Sequence, residues 1–463
     1  MQRNPPSSLN PTHRLRFLPG LIALALFLLL SYWGGLPAPE HLAQFGLGLA
    51  SLVLCLAALG WLFWHLLLRP LPAGHAQPIV APLSQTYRQA LSLLTGISGL
   101  SIVVGGFWDE VWHRQYGLPF GEDFFWRPHI MMYSGFAIVS LLALGSLIWL
   151  MRQGKGTWQQ RFRANPVLSL LVFVGGFMIY ALPVDPLWHA IYGEDITAWS
   201  VPHLVLLLSF STIMLVAAAI YLTTTRTSTW VTWRRITTAD VLVALNLTFA
   251  LNITLQIFTT EWDAIRALPT VFDDAFWQRP EWLFPAALGL SAAFFGVLAN
   301  HSLRRPGAAT AVGVMGWAIR YGLVQLFGWP EISARGWLCI LPAFLALDVW
   351  VAYRLASRRT APSWLESGLA VWVGASLGLP LIGRLFIYPP ISWGNAPGML
   401  VTMLVSALMA AWAGARLGNY LATANKATDS AESPAWVQFA PPAAFLVVVA
   451  LMILFITTAQ PPA

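Results

Sequence analysis

The chain has 463 residues, of which 57% are hydrophobic and only 10% are charged, and its mean hydropathy is +0.65. This composition excludes a water-soluble globular protein, because apolar runs of about 20 residues recur along the chain. Only two cysteines are present, which excludes a disulfide scaffold and a thiolate metal cluster.

The apolar runs predict an all-α polytopic membrane protein with about 13 transmembrane helices. The predicted spans are residues 17–35, 44–68, 89–107, 128–151, 166–183, 201–222, 240–259, 281–301, 308–327, 336–354, 366–385, 397–417 and 438–458. The first run is long enough to span a membrane and lacks a signal-peptidase pattern, so we expect it to be retained.

The charged residues predict the orientation of these spans. Counted from an inside N-terminus, 19 of the 26 Lys and Arg residues fall on the inner side, and 14 of the 19 Asp and Glu residues fall on the outer side. Loops rich in Lys and Arg remain inside. We therefore expect an integral plasma (inner) membrane protein with its N-terminus inside and its C-terminus outside, whose net charge of +7 reflects topology rather than nucleic-acid binding.

Two outer stretches, residues 105–129 and 175–203, are copies of one pattern. Each begins with G-G-F and contains an Asp followed four residues later by a His that comes directly after a Trp. A Y-G pair and finally a P-H pair follow. A separation of four places Asp and His on one helical face, and Pro suits the first turn of the next helix. The candidate residues are Asp109, His113, His129, Asp185, His189 and His203.

Two imidazoles and one carboxylate per copy form the donor set of an open-sided Zn, Cu or non-haem Fe(II) site. The neighbouring carboxylates of Glu122, Asp123, Glu194 and Asp195, with Glu281 further along the chain, would orient the imidazoles, or one of the neighbouring four would act as a general base near bound water. Two other interpretations remain open. The motifs would be polar anchors, with Asp185 as the N-cap of a short helix, or the four His would bind haem between the copies.

The pattern decays along the chain. A third copy reads T-E-W-D and then D-D-A-F-W-Q-R-P-E, with Glu281 in the position of His129, and later outer segments lack His. This series predicts parallel two-helix repeats. The predicted parts are an N-terminal hairpin (1–68), an inner Pro-rich linker (69–88), the repeats (89–418), an inner polar loop (419–437) and a last helix (438–463).

The second copy, with D-P-L-W-H followed by P-H, resembles the copper-ligand motif in the C subunit of copper membrane monooxygenases, such as the particulate methane and ammonia enzymes. The likeness implies that Asp185, His189 and His203 are copper ligands. It also implies that Asp109, His113 and His129 form a second set. More broadly, the pattern is similar to that of uncharacterised bacterial polytopic membrane proteins with repeated D-x3-H and P-H motifs.

We therefore expect an integral membrane metalloprotein, with a copper-dependent oxidoreductase as the leading hypothesis. An ion or metal transporter and a non-catalytic subunit of a membrane complex are the alternatives. Copper is preferred to zinc or iron as the cofactor, and haem is the weaker candidate. The expected partners are the lipid bilayer and other membrane subunits. Nucleotides and nucleic acids are not expected, because no phosphate-binding Gly-rich motif occurs.

Overall fold

A computed structural model describes most of the chain. The described residues are 25, 28–29, 39–69, 85–116, 126–152, 156–192, 199–222, 229–231, 236–267, 282–328, 336–357, 360–379, 396–423 and 436–459. Within these ranges the protein is helical and has no β-strand, as the composition predicts.

The helices follow the predicted apolar runs closely. They are α1 (Leu42–Phe63), α2 (Gln85–Tyr116), α3 (Arg127–Arg152), α4 (Trp158–Ala164), α5 (Pro166–Ala181), α6 (Val184–Tyr192), α7 (Val201–Leu222), α8 (Thr238–Ala267), α9 (Leu283–Leu303), α10 (Ala308–Leu326), α11 (Leu341–Ala356), α12 (Trp364–Gly378), α13 (Ala396–Thr423) and α14 (Trp436–Thr457). A π-helical turn, Trp64–Leu68, extends α1, and short 3-10 turns precede α1 and α11.

Nine helical stretches in the described ranges are long and apolar enough to cross a membrane. They correspond to nine of the predicted spans. Of the others, residues 17–35 lie largely outside the described residues, α10 carries the charged Arg320, α12 has only 15 residues, and α14 contributes a shorter apolar stretch, Pro442–Thr457. Helices of the length and apolar composition that suit membrane spans are therefore confirmed, whereas the total of 13 and the repeat relationship stay predictions.

The two motif-bearing stretches form a ring of four helices. Helix α2 packs on α3, α3 on α5, α5 on α7, and α7 on α2. Glycine allows the close approach of α2 and α3, because a Cβ at Gly105 would lie 3.0 Å from the Pro128 carbonyl oxygen. Gly105 lies one turn before Asp109, and Pro128 directly precedes His129. This contact therefore brings the start of α3 beside the Asp of α2.

The second half of the chain is arranged around α9. This helix packs against α13 along much of its length and also contacts α8, α10 and α12. In its spanning window 83% of the residues are buried, against 6% for α1, so α9 is interior and α1 is peripheral. The two halves meet where α7 packs on α8.

Buried ionisable side chains in the second half have structural partners. The carboxylate of Asp348 accepts a hydrogen bond of 2.7 Å from the backbone N–H of Thr310, in the first turn of α10. A negative charge there stabilises the positive end of the helix dipole. The guanidinium of Arg320 lies over the Phe107 ring, 4.5 Å from its centroid, which joins α10 to α2.

The helix ends separate into two groups, which we name the site end and the opposite end. At the site end, Arg127 donates to the Thr458 hydroxyl and Gln115 donates to the Phe327 carbonyl. At the opposite end, Gln159 donates to the His65 carbonyl, and the His301 imidazole pairs with the Asn419 side chain. Asp109 and Asp185 both belong to the site end, which is the end predicted to face outward.

The orientation can be tested with single cysteines in a chain that carries Cys55→Ala and Cys339→Ala. Tyr116 at the site end is 51% exposed, and Ser357 at the opposite end is also exposed. Because the opposite end carries most of the Lys and Arg, we expect Tyr116→Cys to react with an impermeant maleimide added to intact cells. Ser357→Cys should react only after the membrane is permeabilised. Labelling with the reverse pattern would invert the predicted orientation.

Candidate metal centre

Three side chains of the second motif converge at the site end. The chain turns at Leu182 and Pro183 after α5, and α6 then places Asp185 and His189 on one face, four residues apart. Helix α7 opens with Val201, Pro202 and His203, as the P-H pair predicts. The Nε2 atoms of His189 and His203 each lie 3.5 Å from Oδ1 of Asp185.

These separations suit a single ion. One ligand atom from each of Asp185, His189 and His203 can be chosen so that all three lie within 4.8 Å of one another. Bonds of about 2.0–2.2 Å to one metal place adjacent ligand atoms roughly 3–4 Å apart. The two imidazole rings have centroids 6.0 Å apart and are tilted by 56°, so they do not stack on each other.

The Asp185 carboxylate has spare acceptor capacity. Its Oδ1 atom is shielded from solvent and accepts no hydrogen bond from any residue that the structure describes. A separation of 3.5 Å from the imidazole nitrogens is longer than a normal hydrogen bond. Buried polar atoms nearly always have a partner, so this oxygen is available to a further donor or to a metal ion. The side chain is nevertheless 24% exposed, which leaves an approach to the site.

The first motif forms a related pair with tighter hydrogen bonds. Nε2 of His129 lies 3.0 Å from Oδ1 of Asp109, in the same relationship as His203 to Asp185. The indole N–H of Trp126 donates to that same oxygen at 3.1 Å. The backbone of His113 lies on α2, four residues after Asp109, and its side chain lies outside the described part of the chain. Oδ1 of Asp109 therefore already has two partners, the His129 imidazole and the Trp126 indole.

The spacing of one tryptophan explains the difference between the two motifs. Trp126 precedes His129 by three residues, whereas Trp199 precedes His203 by four. With one additional residue between Trp and His, the Trp199 side chain does not point at the carboxylate of its own motif. Its indole N–H donates to the backbone carbonyl of Ile257 on α8 instead. Asp185 consequently lacks the indole donor that Asp109 has, and the second motif has the more available carboxylate.

Tyr133 links the two motifs and was missed by the sequence analysis. Its ring lies 5.5 Å from the His129 ring, one turn further along α3. Its hydroxyl interacts electrostatically with both Asp109 and Asp185, and the two carboxylates interact with each other. The motifs therefore face a common region. The position of Tyr133, four residues after His129, could have indicated the contact on a helix.

The N-cap interpretation of Asp185 does not fit the helix boundary. Helix α6 begins at Val184, so Asp185 lies within its first turn rather than before it. The predicted carboxylates Glu122, Asp123, Glu194, Asp195 and Glu281 all lie outside the described residues. In the described part of the chain, the imidazoles of His129, His189 and His203 each lie against the carboxylate of their own motif.

No protein-family model matches the chain, and no curated protein or solved structure matches it either.

Proposed function

We propose that the protein is a membrane metalloprotein whose metal ion is held by Asp185, His189 and His203 at the site end. One observation carries the proposal, namely the convergence of these three ligand atoms within 4.8 Å of one another. Oδ1 of Asp185 supports it, because this oxygen lies 3.5 Å from both imidazole nitrogens and has no hydrogen bond of normal geometry among the described residues, so it is available to an ion. Ionisable groups near membrane depth are costly and usually functional.

Copper is the metal we propose. Two imidazole nitrogens and one carboxylate oxygen suit Cu(II), and they also suit Zn(II) or Fe(II). The likeness of D-P-L-W-H and P-H to the copper-ligand motif of copper membrane monooxygenases favours copper within this group. A copper ion bound there would supply one-electron redox chemistry, which is the basis for proposing an oxidoreductase.

The arrangement of the ligands favours a reactive site over a purely structural one. Structural metal sites are usually closed by four protein ligands, whereas catalytic sites keep a position open. Here three protein ligands converge, and the side chains of His189 and His203 are 27% and 24% exposed. The indole of Trp126 and the phenol of Tyr133 border the adjacent first motif. A small or membrane-soluble substrate could approach from this side.

Substitution of the ligands should separate a metal site from a polar anchor. We expect the wild-type protein, purified in mild detergent without chelators, to carry about one metal ion per chain. His189→Ala and His203→Ala should each abolish binding, because ligation needs every donor at once. Asp185→Asn should weaken binding at least tenfold, because the amide has the size of the carboxylate but lacks its negative charge. The measurement is metal content by mass spectrometry.

His41→Ala is the matched control for these variants. His41 lies directly before α1 and is not one of the three converging ligand residues, and its Nδ1 atom lies 3.1 Å from Oε1 of Gln44, three residues along the chain. Its substitution should leave metal content unchanged. A wild-type protein without stoichiometric metal, or an Asp185→Asn variant that binds as well as wild type, would refute the metal centre and favour an interfacial anchor.

The contrast between the two motifs gives a second prediction. A hydrogen bond to a charged group contributes about 1.5–3 kcal/mol. Trp126→Phe removes the donor that occupies Oδ1 of Asp109, so metal binding at the first motif should strengthen about tenfold. The measurement is a copper titration with electron paramagnetic resonance detection, in a His203→Ala background that silences the second motif.

Trp108→Phe provides the control for this substitution. The Trp108 indole nitrogen is buried and has no hydrogen-bond partner among the described residues, so its loss removes no donor from a carboxylate. It should not strengthen binding at the first motif. If Trp126→Phe leaves the titration unchanged, the indole does not restrain Asp109, and the proposed difference between the motifs is wrong.

A further inference from the structure

A mostly apolar groove lies between α1, α3, α4 and α5, away from the proposed metal centre. Its volume is about 550 Å³, within the range of small-molecule sites. Among the described residues that line it, only His65, Ser140 and Trp158 have a polar side-chain atom, and no side chain is a carboxylate, a lysine or an arginine. The groove therefore suits an uncharged occupant that is hydrocarbon over most of its surface.

The groove is open to the surrounding lipid. Ile179 and Leu144, which line it, are 67% and 52% exposed. Leu59 and Leu62 in its wall belong to α1, and only 6% of the spanning window of that helix is buried. The half-exposed Trp158 lines the groove at the opposite end, where tryptophan commonly marks the membrane interface. A molecule dissolved in the membrane can thus enter from the side without crossing water.

His65 also lines the groove at the opposite end, and its imidazole is held in a defined position. It lies in the π-helical turn Trp64–Leu68 that extends α1, and such turns are frequent at functional sites. The imidazole stacks on the Trp61 indole, with ring centroids 5.2 Å apart. Nδ1 of His65 lies 3.3 Å from Nη1 of Arg69, and Nε2 lies 3.4 Å from the side-chain nitrogen of Gln159. Each ring nitrogen therefore faces another nitrogen.

Both neighbours of the imidazole are hydrogen-bond donors. The guanidinium of Arg69 has only N–H groups. The side-chain nitrogen of Gln159 also donates to the backbone carbonyl of His65 at 2.9 Å, which fixes this nitrogen, rather than the amide oxygen, on the histidine side. A neutral imidazole offers one acceptor nitrogen and one N–H group. Whichever nitrogen carries the proton, that N–H group faces a donor and has no acceptor among the residues that the structure describes.

We propose that the groove binds an isoprenoid quinone, with one ring carbonyl accepting a hydrogen bond from the N–H group of His65. The carbonyl oxygens of a quinone only accept hydrogen bonds, and the rest of the molecule is apolar, as the groove requires. The aromatic side chains of Trp158 and Phe162 line the same end and suit contact with a planar ring. The tail lies against α1, α3 and α5, where Gly176 contributes no side chain and leaves room for a branched hydrocarbon.

Other membrane molecules fit these features less well. A phospholipid would bring a charged phosphate to a groove whose described lining residues include no charged side chain. A pure hydrocarbon would leave the His65 donor unmatched, and an isoprenoid alcohol would bring a further donor of its own. The groove is separate from the proposed metal centre, and the inference does not depend on that centre.

The test measures quinone bound by the purified full-length protein. Protein stripped of lipid is passed through gel filtration in detergent buffer that contains ubiquinone-2. The quinone in the protein peak, above that in protein-free micelles, is quantified by liquid chromatography. The wild-type protein should carry about one ubiquinone-2 per chain. His65→Phe should weaken binding about fivefold, because one hydrogen bond is lost, whereas His65→Gln keeps an N–H donor and should retain most of the binding. His41→Phe, at the other end of α1, is the control and should bind as wild type.

A second pair of variants tests the walls independently of the imidazole. A Cβ at Gly176 would make an ordinary contact with Leu59 at 3.6 Å, so Gly176→Leu should fold and fill the groove. A Cβ at Gly145 meets nothing within 4 Å, and this residue does not line the groove, so Gly145→Leu adds the same side chain outside it. Gly176→Leu should lose the quinone, and Gly145→Leu should retain it. The inference is overturned by the absence of saturable ubiquinone-2 binding in the wild type, by unaltered binding in either His65→Phe or Gly176→Leu, or by tighter binding of farnesol than of ubiquinone-2.

Discussion

The placement of a carboxylate between two imidazoles is the constraint on which the site end depends. An ionisable group at membrane depth costs about 2.5–3.5 kcal/mol on insertion scales, so it needs a partner or a function. Asp185 lies 3.5 Å from the imidazole nitrogens of both His189 and His203. This contact depends on the turn at Leu182 and Pro183 after α5 and on the packing of α7 against α6.

In the first motif, close helix packing brings the Asp and the His together. The contact of Gly105 with the Pro128 carbonyl brings α2 against the start of α3. Asp109 and His129 then lie 3.0 Å apart across that contact. The motifs share the P-H helix start and the Asp–His pair, yet they differ in where the tryptophan donates. The carboxylate of the second copy is thus more available as a ligand than that of the first, and the second copy is better suited to bind a metal.

The two ends of the molecule have opposite character. The site end contains the Asp–His pairs of the two motifs together with Trp126 and Tyr133, whereas the opposite end is rich in arginine. That asymmetry underlies the proposal of a cation bound at the site end. Helix α1 takes little part in the core, since only 6% of its spanning window is buried.

Much of the architecture was predictable from the sequence, because local rules control it. Apolar runs of sufficient length can satisfy their backbone groups in lipid only as helices, so nine spans could be recognised in the described residues. A spacing of four residues placed Asp185 and His189 on one face, and the P-H pairs marked the starts of α3 and α7. These features depend on residues that are near each other in the chain.

Only the tertiary structure decided which distant groups meet. The sequence could not show that Trp126 bonds Asp109 while Trp199 bonds the carbonyl of Ile257, because the second contact joins residues 58 positions apart. Nor could it show that Arg163 donates to the backbone carbonyl of Leu66, 97 positions away. Helix periodicity defines the face of each helix, whereas packing against neighbouring helices determines what that face contacts.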